Sequence, residues 1–322
     1  MVFRGCEQSF NQPRDLTTCN MSKRLGFIIN PAAASGRCPA RWAELQAHFC
    51  QGGGSAKCLF TSRPGEAVSF AQGLARECDV VVAVGGDGTI FEVASGLLLS
   101  GIANPTLGIV PLGTGNDTAR LCGIRDVTQA QVALPGMRNK NVDVIKICCQ
   151  ADGATVTRYG LLYGSVGLIG EALKHTTPRV KRIFGRRLAY PAGALRAIFS
   201  YRASRMRVTC DGQAQENRFL LVCASNAELS GGGMRLAPGA KMDDGLLDVN
   251  VCEAVGRGTA LSLLWQISRG RRVTHPKLRY LTARTVAVAA EPPMDVQADG
   301  ELIGHTPARL EVVPQALRVL IP

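Results

Sequence analysis

Two glycine-rich segments that carry aspartate stand out: Gly85-Gly86-Asp87-Gly88-Thr89, and Pro111-Leu112-Gly113-Thr114-Gly115-Asn116-Asp117. Glycine lets a backbone turn sharply and approach a ligand without a Cβ, and where such a turn opens a helix the free N–H groups attract phosphate. An aspartate in an anion site calls for an accompanying cation, so Mg²⁺ is expected with the phosphate. The first segment is neither a Walker A loop nor a GxGxxG. Taken alone it also reads as a plain Gly-Asp-Gly turn, and Asn116 or Asp117 as a helix cap. Two such turns at the ends of neighbouring strands would line one crevice.

Three further groups accompany them. Asn30-Pro31, followed by Ser35-Gly36-Arg37, can lay backbone amides and a cation near phosphates. Asn226, Gly231-Gly232-Gly233, Pro238 and Asp243-Asp244-Gly245-Leu246-Leu247-Asp248 place adjacent carboxylates on a turn, which suits a hard cation with oxygen ligands or a solvated hairpin. Asp299-Gly300-Glu301 points two carboxylates to one side if extended, as a general base and its partner require, but it also reads as an Asp-Gly hairpin turn.

The elements that must carry these residues follow from hydrophobic patterning. Strands are expected at Leu25–Asn30, Ala56–Thr61, Asp79–Val84 and Leu107–Pro111, and helices at Pro39–Cys50, Pro64–Cys78, Thr89–Leu99 and Thr118–Cys122. This alternation predicts an α/β, doubly wound parallel sheet, Rossmann-like or flavodoxin-like, with ligands at the carboxyl ends of its strands. After about Asn141 shorter alternating runs predict antiparallel strands at Val142–Cys148, Thr155–Tyr163, Arg205–Thr209, Phe219–Ser225, Leu246–Val251, Thr285–Ala289 and Leu317–Ile321. Helical material is expected around Ile183–Tyr201 and Thr259–Arg269. The expected organisation is a disordered tail at 1–23, an α/β domain at 24–140 and a β-rich domain at 141–322.

The chain has 322 residues, 46% hydrophobic and 19% charged, which excludes disordered and fibrous classes. A net charge of +12 favours acidic partners without choosing among them. The twelve cysteines include no CxxC, and a reduced, cytoplasmic protein with mostly buried thiols is the better reading. Met1–Asn20 lacks the apolar stretch of a secretory signal, and the longest uncharged run, Val93–Asn116, is broken by Asn104, Pro105 and Pro111, so no transmembrane span is expected. The four histidines are isolated, which leaves nucleophilic catalysis through histidine without support, and no zinc spacing occurs.

Together, the order and spacing of GGDGT, PLGTGND, the NP loop, the GGG…DDGLLD segment and DGE resemble the diacylglycerol kinase catalytic-domain family, which includes bacterial soluble lipid kinases and the sphingosine and ceramide kinases. The resemblance covers about Leu25 to Pro322, and the second domain it implies is a β-sandwich, with the active site in the cleft between the two domains. It also implies phosphoryl transfer from Mg-ATP to a lipid hydroxyl. Asn30, Pro31, Gly36, Thr61, Gly85, Gly86, Asp87, Gly88, Thr89, Glu92, Thr114, Asn116 and Asp117 would contact nucleotide, with Asp87 and Asp117 organising Mg²⁺ through water. A structural Mg²⁺ would be held by the Asp244 side chain and the carbonyls of Lys241 and Leu246. Glu301 or Asp299 would take the proton from the attacking hydroxyl, with Glu301 preferred and Asp299 its partner. The loop Ala32-Ala33-Ala34-Ser35-Gly36 has fewer glycines than many family loops.

A bilayer substrate requires contact with a membrane surface. Ten Lys or Arg and no Asp or Glu lie between Ala172 and Cys210, and Arg179, Lys181, Arg182, Arg186 and Arg187 interleave with Ile183, Phe184, Leu188 and Tyr190. That pattern suits peripheral binding to anionic lipid, or a solvated helix face packed on the β domain. Diacylglycerol is the leading acceptor. Sphingoid-base, ceramide and NAD kinases are the alternatives among enzymes. A basic nucleic-acid-binding protein is the non-enzymatic one, disfavoured because aromatics are only 5% of the chain and base stacking needs them. A homodimer is compatible with this fold.

Overall fold

The computed structural model describes residues 23–36, 38–50, 56–113, 115–176, 192–230 and 234–322. The tail to residue 22, Arg37, Thr114, Gly231–Gly233 and the basic stretch from Arg179 to Tyr190 lie outside the described residues.

In the first half strands and helices alternate: β1 (Leu25–Ile29), α1 (Cys38–Cys50), β2 (Ala56–Phe60), α2 (Glu66–Glu77), β3 (Val80–Gly85), α3 (Asp87–Leu99) and β4 (Thr106–Pro111). Two helices follow, α4 (Asp117–Leu121) and α5 (Val127–Gly136). The strands pair in parallel in the order β2-β1-β3-β4. Every residue of β1, β3 and β4 is buried, as apolar runs covered on both faces must be, whereas edge strand β2 is half exposed. Successive residues of β1 face opposite helices. Phe27 packs on Trp42 of α1 with ring centroids 4.9 Å apart, and a Cβ at Gly26 would touch Leu74 of α2 at 3.0 Å.

The second half is mainly antiparallel: β5 (Asn139–Ala151), β6 (Ala154–Gly160), β7 (Tyr163–Gly167), α6 (Leu168–His175), α7 (192–200), β8 (Ser204–Cys210), β9 (Gln213–Ser225), β10 (Leu229–Ser230), β11 (Met234–Arg235), β12 (Leu247–Glu253), α8 (Arg257–Ser268), β13 (Leu278–Ala283), β14 (Thr285–Ala290), β15 (Asp295–Ala298) and β16 (Glu301–Leu320). One path of strands runs β13-β12-β9-β7-β15-β16, while β8 and β14 close a return from β9 to β16. This is the β-rich domain that the alternating runs predict.

The expected strand at Leu317–Ile321 is the end of a much longer one. β16 begins beside β15 and ends beside β4, to which it runs parallel through Arg318 and Val319, while pairing antiparallel with β5 along its length. The two layers therefore share a strand, and the first core cluster includes Leu161, Tyr163, Cys223 and Met242 from the second half. Of nine cysteines described, all are free thiols and six are buried. Among the described residues no helix is long and apolar enough to cross a membrane.

Candidate functional site

The carboxyl ends of the parallel strands are bound to one another just where the motifs begin. Asn30 N–H donates to the Val84 carbonyl (3.0 Å), Thr61 N–H to Ile29 (2.9 Å), and Leu112 N–H to Gly85 (2.8 Å). The ends of β1, β2, β3 and β4 are thereby level, and the loops that leave them open on one cleft of about 830 Å³.

Side chains then join the loops. Asn30 Nδ2 donates to Thr89 Oγ1 at 3.0 Å, while its Oδ1 accepts the Ala32 amide and holds the turn after Pro31. Gly85 must lack a Cβ because one would stand 2.5 Å from Thr89 Oγ1. Gly86 and Gly113 bring the two glycine-rich loops together: a Cβ on Gly86 would lie 3.1 Å from the Gly113 Cα. Glu92 Oε1 accepts the Gly65 amide at 2.9 Å and fixes the loop that carries Thr61 and Arg63. Gly36 closes the short 3₁₀ turn Ala33–Gly36 in a left-handed conformation and, unlike Asn30, Ala32 and Ala33, does not line the cleft.

Asp87 opens α3 and Asp117 opens α4, and the two carboxylates share one corner. Asp87 Oδ1 accepts the Thr118 amide at 3.2 Å, and a Cβ on Gly115 would stand 2.6 Å from Asp87 Oδ2. Asn116 precedes Asp117 in the left-handed region, its Nδ2 bonded to the Gly113 carbonyl rather than to a helix amide. Asp117 is 3% exposed and pairs with Arg120 at 3.2 Å. Burial raises the Asp87 carboxyl above its ordinary value and the Asp117 charge adds to that, against the pull of the Thr118 and Asn116 amides. Two like charges held together in a partly desolvated corner fit a hard divalent cation, which oxygen donors such as these would share with phosphate. Among the described residues no three acidic, histidine or cysteine side chains gather into a metal cage.

The far wall comes from the β-rich layer. Asp299-Gly300 is a two-residue turn joining β15 to β16, both residues at positive φ, as the Asp-Gly hairpin signal predicts. The turn separates the two carboxylates that an extended strand would have aligned. Asp299 accepts the amides of Leu161, Leu162 and Tyr163 at 2.6, 2.9 and 2.9 Å, while its own N–H donates to the Tyr163 carbonyl. Burial pushes its carboxyl up to about 6 despite those three donors. Glu301 is exposed to the cleft and faces the first turn of α3, where a Cβ on Gly88 would lie 3.1 Å from Oε1.

The Asp243–Asp248 segment stands apart from the cleft lining. Asp244 Oδ1 accepts the Leu246 amide (3.1 Å), Asp243 pairs with Lys140 (2.8 Å), and burial with the Asp244 charge raises the Asp248 carboxyl. Asp143, which patterning does not single out, fixes this turn. It is fully buried in β5 and accepts the amides of Gly245 (2.7 Å) and Gln315 (2.8 Å). Asn226 reaches from the end of β9 to the carbonyls of Asp143 (2.8 Å) and Leu161 (3.0 Å), linking this turn to the loop that holds Asp299. Arg63, Arg120 and Tyr163 also line the cleft without a motif to announce them. A cation just past a strand end, as at Arg63, was the one available signal.

Residues 24–148 match the diacylglycerol kinase catalytic domain, and residues 166–321 match the YegS C-terminal NAD kinase beta sandwich-like domain. The diacylglycerol kinase of Bacillus subtilis (strain 168) is 27% identical over 304 residues, covering 93% of this chain and 97% of that protein. That of Staphylococcus saprophyticus is 27% identical over 305 residues, covering 94% and 96%. Among solved structures, a protein assigned as a diacylglycerol kinase in Bacillus anthracis str. Sterne matches with a TM-score of 0.74 at 27% identity, covering 93% of this chain and 97% of that one.

Proposed function

The chain belongs to the diacylglycerol kinase catalytic-domain family, phosphotransferases with an alcohol group as acceptor, and on that premise we propose that it phosphorylates the hydroxyl of a membrane lipid with ATP. Diacylglycerol, giving phosphatidic acid, is the acceptor we favour, since the relatives carry that name. The observation that carries the reading is the position of Glu301, across the cleft from the glycine-rich start of α3.

Nucleotide phosphates lie against the amides of Gly86 to Thr89 and against Gly113, Gly115 and Asp117, with Asn30 and Thr61 lining the same cleft. Arg63 and Arg120 add positive charge around the transferring group. Asp87 and Asp117 would hold Mg²⁺ through water, and the ion when bound would neutralise charge on the phosphate oxygens. Glu301 accepts the proton of the lipid hydroxyl as the new oxygen–phosphorus bond forms and the bond to the ADP oxygen breaks. Asp299 does not compete for that proton, because three backbone amides occupy it; it fixes the turn that presents Glu301. Asp244, with the carbonyls of Lys241 and Leu246, is proposed to hold a second, structural Mg²⁺. A membrane-lipid acceptor with ATP as donor would put the working protein at the cytoplasmic face of a membrane.

The test is ATP-dependent labelling of a panel of lipid vesicles by the wild type, Asp87→Ala and Glu301→Ala, with NAD as a soluble control. Labelling of one lipid, abolished by both substitutions in folded protein, is expected. Labelling of NAD and of no lipid overturns the reading.

A further inference from the structure

Away from the cleft, α7 and α8 pack on the β-rich layer through Ile198, Ala260 and Leu263, which are buried in one cluster. On their outer faces these helices carry Leu195, Phe199 and Trp265, which are 47%, 51% and 51% exposed. Along α8 and its cap Arg257, Leu261, Trp265 and Arg269 recur every fourth residue and share one face. Arg257 joins this stripe to α7, donating to the Phe199 carbonyl at 3.0 Å with its guanidinium 5.8 Å from the ring centroid. Arg269 lies 4.1 Å over the Trp265 ring. Among the described residues Arg235 pairs with Glu228 and Arg279 with Glu253, while Arg257 and Arg269 meet no carboxylate. From Ala254 to Ala290 there are seven Lys or Arg and no Asp or Glu.

We propose that this stripe is a docking face for an anionic bilayer, with Trp265, Leu195 and Phe199 entering the interface and Arg257 and Arg269 meeting lipid phosphates. Indole is amphipathic and settles at headgroup depth, and an arginine stacked on it keeps its charge in water while its stem covers the ring. Exposed Leu195 and Phe199 on α7, which Arg257 joins to the stripe, favour a lipid surface over nucleic acid, which would need stacking faces left open. The purpose of the face rests on the lipid-kinase reading, but the binding does not.

The experiment is sedimentation of the full chain with vesicles of phosphatidylcholine alone or mixed with phosphatidylglycerol, for the wild type and a Trp265→Ala/Arg269→Glu variant. Wild type is expected to bind only the anionic vesicles. The variant should bind about thirtyfold more weakly from the two units of charge alone, each worth about fivefold. Trp42 is buried, so a vesicle-induced blue shift of emission reports Trp265. Undiminished binding by the variant, an unshifted emission, or binding of duplex DNA in place of vesicles overturns the proposal. Turnover of a monodisperse short-chain diacylglycerol is expected to survive in the variant, and its loss would mean that this face is not separate from the active site. If the wild type docks through Trp265 yet labels no lipid, the kinase reading fails and the docking face stands.

Discussion

Glu301 and Gly88 face each other across the cleft, one the first residue of β16 and the other in the first turn of α3, so close that a single methyl at Gly88 would stand 3.1 Å from the glutamate Oε1. The partial positive charge of a helix N-terminus is thus aimed at the same space as a carboxylate from the opposite layer.

Replacing Glu301 by Gln keeps the shape and removes the base. We expect kcat to fall about a hundredfold to ten-thousandfold while binding of ATP, followed with a fluorescent analogue, stays within experimental scatter. Loss of ATP binding along with turnover would instead place Glu301 among the nucleotide contacts.

Asp299 gives a pH dependence whose sign is fixed by burial. Its folded carboxyl titrates near 6, above the ordinary aspartate value. The protonated form is therefore favoured by folding, and this contribution is full below about pH 4 and lost as pH rises through 6. The unfolding midpoint of wild type relative to Asp299→Asn should drop across that window. An unchanged difference from pH 4 to 7 would show that the three amides fully offset the burial.

Gly113→Ala places a Cβ 2.6 Å from Asn116 Oδ1 and into the Gly86 backbone. Overpacking of this kind costs about 1–3 kcal/mol, and here it also pries the two glycine-rich loops apart. Calorimetry should find a lower Tm and titration a weaker ATP complex; a Tm shift with intact ATP affinity would separate the glycine contact from the site.

Asp143→Ala strips the acceptor from the amides of Gly245 and Gln315 in a buried setting, and urea unfolding should register a loss of about 3 kcal/mol. Asp143→Asn should recover part of it, since one amide oxygen can still accept; equal losses would point to packing rather than hydrogen bonding.

How much of this was written locally in the chain differs between the halves. The run Asp79–Val84 and the glycine-rich segments 85–89 and 113–117 carry their own instructions, so the parallel sheet and the turns at its strand ends follow from patterning alone. β16 does not: Gly304, Pro307 and Pro314 punctuate it as if it were several loops, and only pairing with β5, β14 and β15 makes it one strand. The choice between Asp299 and Glu301 was equally distant, because it depends on the amides of residues 161–163, which lie more than 130 positions earlier. Asp143 reads as an outward-facing strand residue between Val142 and Val144. It is buried because β16 bulges opposite it between Val313 and Leu317, and that bulge offers the Gln315 amide.

Because β16 carries Glu301 at one end and completes the parallel sheet at the other, the cleft walls are not two bodies on a flexible tether. They are joined by a hydrogen-bonded ribbon of β5 and β16. Such a ribbon resists stretching and in-plane shear but yields to twist, and its soft points are the irregularities near residues 305–309 and 313–317. Any change in the width of the cleft is then expected to be a wringing motion of small amplitude that keeps Glu301 and the glycine-rich loops in register.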